Sequence, residues 1–268
     1  MRELAIKGLP RPLFLETHAG EDRFISESIE RDGVWEPLET QLILATLRPG
    51  DVFFDVGANI GYYSVIASTV VGAEGRVVSF EPDPANFALL SRNIRLNGVM
   101  NALTFRQAVC ESSRSRPLYL SEDNMGDHRL YESRDKRASV MVECIDLDAF
   151  TASSGLIADL VKLDTQGSEA SILRGMRTML DEFAGRLKLI LEFWPFGLRE
   201  NGSSPEELLS LLPLERFQIH VIDEEGGILR ECTAGSLLEE CQGQRYTEWG
   251  GFLNLFLTPQ SVSILPLN

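Results

Sequence analysis

Cysteine, histidine and basic residues are scarce in this chain of 268 residues, and each shortage narrows its chemistry. The four cysteines, Cys110, Cys144, Cys232 and Cys241, form no CxxC pair and show no metal-ligand rhythm, so reduced structural thiols are expected rather than zinc ligands or a redox pair. Lys and Arg number 25 against 40 Asp and Glu, and the formal charge of −15 would repel a phosphate backbone; a nucleic-acid substrate is not expected. No apolar run reaches the roughly eighteen residues of a membrane span. The opening segment MRELAIKGLPRPLFLE has no long apolar stretch before a small-residue cleavage site, so no secretory signal is read and the expected location is cytoplasmic. What is left, 44% hydrophobic and 24% charged residues, is the balance of an ordinary globular domain.

What is present is concentrated between residues 51 and 81. DVFFDVGANIG carries a short apolar run, Val52, Phe53, Phe54 and Val56, as expected of a parallel strand buried on both faces. Gly57 and Gly61 then flank Ala58 and Asn59, which lets the chain turn sharply and a ligand approach the backbone before a helix over residues 62–71. The free N–H groups of that helix start point at the site. A second strand over 77–80 ends at Glu81, followed by Pro82; a carboxylate there accepts both hydroxyl protons of a ribose and points to an adenosine cofactor. A dinucleotide fingerprint, G-x-G-x-x-G, cradles a pyrophosphate. Here the pattern is Asp55-x-Gly57-x-x-x-Gly61, with Asn59 where the second glycine would sit. Asp55 would repel a diphosphate but suits, directly or through water, the ammonium of an amino acid, which S-adenosylmethionine carries. An NAD-dependent oxidoreductase using the same ribose acid is the alternative, and a cofactor-binding module without activity is a third.

These residues resemble the FkbM-type S-adenosylmethionine-dependent methyltransferases. The resemblance begins at WEPLE, residues 35–39, and continues through RPGDVFFDVGANIGYYS, VVSFEPDPANFALLSRNIRLN, the AVC of residues 108–110, DLVKLDTQGSEASILRG and LILEFWP, residues 189–195, roughly two thirds of the chain. The glycine segment alone marks a class I methyltransferase; its combination with FEPDP and KLDTQGSE carries the family. What the resemblance implies is methyl transfer, most often to a hydroxyl of a sugar, glycan or polyketide-like natural product. N-methylation of a small molecule is the nearest variant.

The alternation of strand and helix predicts an α/β fold, a Rossmann-like class I methyltransferase core with a seven-stranded, mostly parallel sheet and helices on both faces. Residues 1–34 read as an N-terminal extension able to act as a lid, with an amphipathic helix over 22–30 turning Phe24, Ile25 and Ile29 inward; residues 35–268 form the catalytic domain. Helices are expected over 37–47, 84–96, 146–152, 168–183 and 205–212, and strands over 103–109, 160–163, 187–193, 217–222 and 252–257. Between residues 111 and 144 the rhythm changes to two strands, 117–120 and 139–144, around the polar loop SEDNMGDHRLYESRDKR, a hairpin-like insertion.

Ligands of open α/β sheets lie outside the carboxyl ends of the strands. That places Glu81 and Pro82, Gln107 and Ala108, Asp164, and Glu192 beside the glycine turn, so the cofactor set reads Glu36, Asp55, Gly57, Ala58, Asn59, Gly61, Glu81, Pro82, Gln107, Ala108 and Asp164. Glu36, in WEPLE, is positioned to close over the amino-acid end. Methyl transfer to an alcohol is a direct displacement that needs aligned atoms and a proton acceptor. Asp164, ending a buried strand with Gly167 near it, is the first candidate, with helix capping as its other role. His128 in the insertion loop has the side chain best matched to neutral pH, and Glu192 completes the catalytic set. A divalent metal on Asp164, Glu169 or Glu192 is the rival route, without D-x-D or H-x-x-H spacing behind it. Trp194 and Phe196 are candidates for the wall of an acceptor site. The loop cluster Arg129, Arg134, Lys136 and Arg137 reads as a solvated face, with an anionic acceptor as its functional alternative.

Overall fold

The computed structural model describes residues 1–247 and 250–262. Its centre is a sheet of eight strands: β1 (Val52–Val56), β2 (Arg76–Phe80), β3 (Ala102–Phe105), β4 (Leu160–Leu163), β5 (Lys188–Phe193), β6 (Phe217–Asp223), β7 (Ile228–Cys232) and β8 (Leu253–Pro259), in the spatial order β7-β6-β8-β5-β4-β1-β2-β3. The strands β3, β2, β1, β4 and β5 are mutually parallel, whereas β8 pairs antiparallel with β5 and β6, and β7 antiparallel with β6. This is the Rossmann-like methyltransferase architecture, with β7 as one edge strand more than the seven expected, returned against β6 after Gly226 and Gly227. The strand order reverses between β1 and β4, which opens a crevice at their carboxyl ends.

Alternation along β1 divides the apolar interior. Phe54 and Val56 join a core on one face of the sheet, and Phe53 joins the core on the other. The helices α1 (Ile25–Asp32), α2 (Pro37–Thr46), α3 (Tyr62–Val71), α4 (Pro84–Leu96), α5 (Leu147–Ser154), α6 (Glu169–Arg174) and α7 (Arg177–Phe183) close these faces. Leu42 and Ile43 of α2 and Val65 and Ile66 of α3 cover Phe53, while Phe150 of α5, Ile172 of α6 and Met179 of α7 lie with Phe54. The bounds of α4 match its sequence signals because Asp83 accepts the N–H groups of Ala85 and Asn86, and Pro84 occupies the first turn.

Two expected elements are divided. The helix over 168–183 is two helices, α6 and α7, parted at Gly175 and Met176. The backbone of Gly175 lies so close to the Cys110 carbonyl that a Cβ would stand 2.4 Å from its oxygen, and Asp148 of α5 accepts the N–H groups of Thr178 and Met179, starting α7 afresh. The strand over 103–109 stops at Phe105; Ala108–Val109 leaves the main sheet and pairs in parallel with Cys144–Ile145. Beyond that pair, Arg116–Tyr119 and Ser139–Val142 form the antiparallel stem of the insertion.

Residues 1–34 pack on the catalytic core. Asn93 of α4 is fully buried; its amide donates to the carbonyls of Glu16 (3.0 Å) and Ile60 (2.8 Å) and its oxygen accepts the Glu16 N–H (2.7 Å). Asn97 makes the same paired contact with Phe14. In the first helix Ile29 is buried, whereas Phe24 precedes α1 and is exposed, so it is not the inward residue expected. Among the described residues no helix is long and apolar enough to cross a membrane. Replacing Asn93 by Ala takes a partner from the Glu16 N–H and from the carbonyls of Glu16 and Ile60, and is expected to cost about 3 kcal/mol; urea unfolding of Asn93→Ala with an unchanged midpoint would show that the N-terminal segment is not anchored there.

Candidate functional site

The turn after β1 sets the geometry of the crevice. Gly57 takes φ +81, and a Cβ there would stand 2.0 Å from the Asp164 carbonyl oxygen, so β1 and β4 close together only around a glycine. Gly61, at φ +86, starts α3 with Leu90 packed against it. The N–H groups of Gly57 and Ala58 both donate to the Phe80 carbonyl, which fastens the turn to the end of β2. Asn59, at φ +49, then gives its N–H to Glu81 Oε2 at 2.8 Å, while the Asp83 N–H goes to Glu81 Oε1 at 2.9 Å. Burial pushes the Glu81 carboxyl up to about 8, against the pull of those two amides.

A cavity of about 370 Å³ opens above this turn, within the range of small-molecule sites. Of the residues singled out from the sequence, Glu36, Gly57, Asn59, Glu81, Pro82, Gln107, Ala108, His128, Asp164 and Glu192 line it. Ala58 and Gly61 act through the turn itself. Asp55 departs from expectation: it does not line the cavity, because its side chain shares the Phe53 face of β1 and accepts the Ser64 hydroxyl at 2.5 Å, with Ser64 linked to Ser79. Burial pushes its carboxyl up to about 6, and it braces α3 against β1 and β2. Glu36 is the acid the cavity meets instead; at φ +40 it accepts the Tyr63 hydroxyl (2.8 Å) and the Asn254 amide (3.0 Å), and burial raises its pKa.

At the end of β4, Asp164 is partly exposed; its Oδ2 accepts from Lys162 Nζ at 2.8 Å and its Oδ1 from Gln166 Nε2 at 3.1 Å. It therefore does not cap α6. Among the described residues no side chain caps α6; Glu169, its first residue, has its Oε1 accept the N–H and hydroxyl of Thr165 in the preceding loop (2.9 and 2.8 Å) and sits buried away from the cavity lining. The Gln166 amide also spans both oxygens of Glu192 (3.1 and 3.2 Å). Burial, followed by the charges of Asp164 and Glu169, raises the Glu192 carboxyl well above its usual range. Glu192 therefore gives up its proton less readily than an ordinary carboxyl group. Among the described residues no three His, Cys, Asp or Glu side chains form a metal-binding group.

His128 departs from expectation as well. Its Nδ1 accepts the Ser121 N–H at 3.0 Å, so the neutral ring carries its proton on Nε2 and has no lone pair left for a substrate. Burial lowers its pKa further. The insertion reaches the turn chiefly through the main chain: the Met125 carbonyl accepts from Asn59 Nδ2 (3.0 Å) and Asn86 Nδ2 (2.9 Å). Lys162, Gln166 and Asn254 are participants that the sequence does not single out; for Lys162 the signal was a lone charge inside the apolar strand LVKL.

Comparison with known proteins finds methyltransferases. The family model for the methyltransferase FkbM domain matches residues 55–219, which contain the glycine turn, Glu81, Asp164 and Glu192. Hexuronic acid methyltransferase AglP of Haloferax volcanii is 28% identical over 177 residues, 63% of this chain and 70% of that protein. Methyltransferase sdnD of Sordaria araneosa is 26% identical over 214 residues, 67% of this chain and 78% of that protein. The crystal structure of methyltransferase FkbM from Methylobacillus flagellatus KT superposes with a TM-score of 0.48 at 18% identity, over 79% of this chain and 44% of that one.

The close approach of Gly57 to Asp164 makes a sharp prediction. Gly57→Ala pushes β1 and β4 apart at the crevice and is expected to cost about 2 kcal/mol or more in stability. Thermal unfolding of the variant measures it, and a melting temperature equal to that of the parent would mean that the contact is not as tight as described.

Proposed function

The chain belongs to the FkbM methyltransferase family, and from that premise we propose that it carries a methyl group from S-adenosylmethionine to a hydroxyl oxygen of a sugar, glycan or polyketide-like natural product. The observation that carries this reading is Glu81, a buried carboxyl at the end of β2 beside the glycine turn, with each oxygen held by one backbone amide and a lone pair left for a ribose hydroxyl. Gly57, too crowded for any Cβ, lets a ligand lie against bare backbone. Glu36, rather than Asp55, is the acid available to an ammonium group. S-adenosylmethionine, when bound, supplies a methyl group on a positively charged sulfur.

Removal of the hydroxyl proton falls to Asp164. It lines the cavity, stays partly exposed and is paired with the Lys162 ammonium, while Glu192 is buried with both oxygens bound by Gln166 and His128 has its Nδ1 lone pair engaged. Gln166 holds Asp164 and Glu192 in one frame, fixing the direction from which a hydroxyl can be approached. Phe24 and Phe252, both exposed and both lining the cavity, offer flat apolar surfaces to a ring-shaped acceptor. The sugar acceptor named for AglP, one of the curated relatives, supports the sugar reading.

Calorimetric titration with S-adenosylmethionine, S-adenosylhomocysteine and NAD tests the cofactor. Both sulfur compounds are expected to bind and NAD is not; the reverse result overturns the reading. Glu81→Ala should weaken S-adenosylhomocysteine binding by about 1–3 kcal/mol. Because Glu81 carries its proton below about 8 and the charged form is the better acceptor, affinity in the parent should rise as pH climbs from 6.5 to 8.5, and Glu81→Ala should flatten that rise. Asp164→Asn is expected to leave cofactor affinity in place and reduce kcat by about 100-fold or more; an unchanged kcat would move the proton acceptor elsewhere.

A further inference from the structure

Two of the four cysteines meet although 34 residues separate them along the chain, and that separation hides the pair from any reading of spacing. Cys110 and Cys144 are reduced in the structure, as expected, and both are buried. Ala108–Val109 and Cys144–Ile145 run in parallel with Ala108 opposite Cys144, so Cys110 stands diagonally across from Cys144 on the same face. That face forms a small apolar core with Ala108, Leu118 and Val142, set apart from the two cores of the main sheet. The other two cysteines have different surroundings: Cys232 turns its sulfur to the Ile219 carbonyl at 3.7 Å, and Cys241 lies in one of the large cores.

Cys110 Sγ donates to Cys144 Sγ at 2.9 Å, closer than two sulfur atoms ordinarily pack, and roughly 0.9 Å of approach separates this pair from a covalent bond. The backbones around the sulfurs are fixed. The Cys110 N–H donates to the Ile145 carbonyl at 2.9 Å, the Cys110 carbonyl abuts Gly175, and the Cys144 N–H donates to the Arg114 carbonyl at 3.1 Å. Rotation of the two side chains is the movement that remains. The hydrogen bond also divides the roles: it lowers the pKa of Cys144 and raises that of Cys110, and the charge of Arg116 favours the thiolate further. Cys144 is therefore placed as the attacking sulfur and Cys110 as the one that resolves it.

We propose that Cys110 and Cys144 are a reversible thiol-to-disulfide pair, oxidised by hydrogen peroxide, whose bond clasps the base of the insertion. Burial bars a bulky disulfide and selects an oxidant little larger than water, admitted as the stem opens locally. The Cys144 thiolate attacks one peroxide oxygen; an S–O bond forms as the O–O bond breaks, and the departing hydroxide takes up the proton that Cys144 released, leaving a sulfenic acid and one water. Cys110 then attacks the Cys144 sulfur; the S–S bond forms, the S–O bond breaks, and the hydroxyl leaves with the Cys110 proton as a second water. The two sulfurs together lose two electrons, which the peroxide gains. The new bond closes a loop holding the whole polar segment of the insertion. Ala108 and Leu118 of the small core, and Leu130 packed against it, line the cavity, so oxidation stiffens one of its walls.

The test treats the full chain with hydrogen peroxide, alkylates the thiols that remain and maps the peptides without reductant. A peptide pair joined through Cys110 and Cys144 is expected, two hydrogen atoms lighter than the free thiols and parted again by dithiothreitol. The oxidised chain should melt about 5 °C or more above the reduced one, because the bond restrains the unfolded insertion. Cys144→Ala should lose both the cross-link and the shift, whereas Cys232→Ala should keep both. Cys110 and Cys144 still open to alkylation after peroxide, their conversion to sulfinic acids, or a cross-link through Cys232 or Cys241 in their place each overturns the proposal; a bond between Cys110 and Cys144 with no rise in melting temperature overturns the clasp. Should Cys144→Ala fail to fold, the peptide map and melting curves of the parent chain decide alone.

Discussion

Lys162 stands in the middle of β4 with its ammonium buried, and the carboxyl-rich end of the sheet depends on where that charge goes. It donates to Asp164 at 2.8 Å, comes within 3.3 Å of Glu39, and lies over the Tyr63 ring at 4.8 Å. Glu36, which accepts the Tyr63 hydroxyl, feels the same charge. One cation cannot balance three ionised acids in a dry interior, and burial raises Glu36 and Glu39 so that they hold protons more tightly. The direct bond of Lys162 goes to Asp164. Loss of the ammonium would release α2, α3 and β4 from a common tether.

Strain is concentrated along the same rim. Glu36, Asn59 and Gln166 line the cavity, and together with Lys136 they are the non-glycine residues at positive φ among those described. Each such residue costs about 1–3 kcal/mol, and each is held by side-chain bonds: Glu36 by Tyr63 and Asn254, Asn59 through Met125, Gln166 through Asp164 and Glu192. The two apolar cores on either side of the sheet supply the stability that lets this rim stay bent. Polar atoms are thereby presented to the cavity in fixed directions, the condition for recognising a ligand without rearrangement.

The legible parts of the fold were those whose causes are local. The strand, turn, helix and acid between residues 52 and 81 follow from short-range pattern, and α4 begins and ends where Asp83, Pro84 and the Asn97-Gly98 pair say it should. What stayed hidden was settled by distant neighbours. The Ser121 amide decides which nitrogen of His128 carries the proton, and the Cys110 carbonyl forces the break at Gly175. Asp55 lies off the crevice for a reason that alternation does contain: it shares a face with Phe53, and that face lies under α3. The arginine-rich loop was visible as a cluster, but nothing in its spacing separates the buried Arg129 from the solvated Arg134.

The insertion meets the glycine turn mainly through one backbone oxygen, the Met125 carbonyl, which two asparagine amides hold from different elements. A main-chain contact is indifferent to the side chains on either side of it. The residues that the insertion turns toward the cavity, His128 and Arg129 among them, are therefore free to differ without disturbing the contact that positions Asn59 and Glu81. The stem is independent as well, since Arg116–Tyr119 pairs with Ser139–Val142 outside the main sheet. Such a division lets this wall of the cavity differ in charge and shape while the turn and its acid keep one geometry, in side chains that the eight-stranded sheet does not need in order to fold.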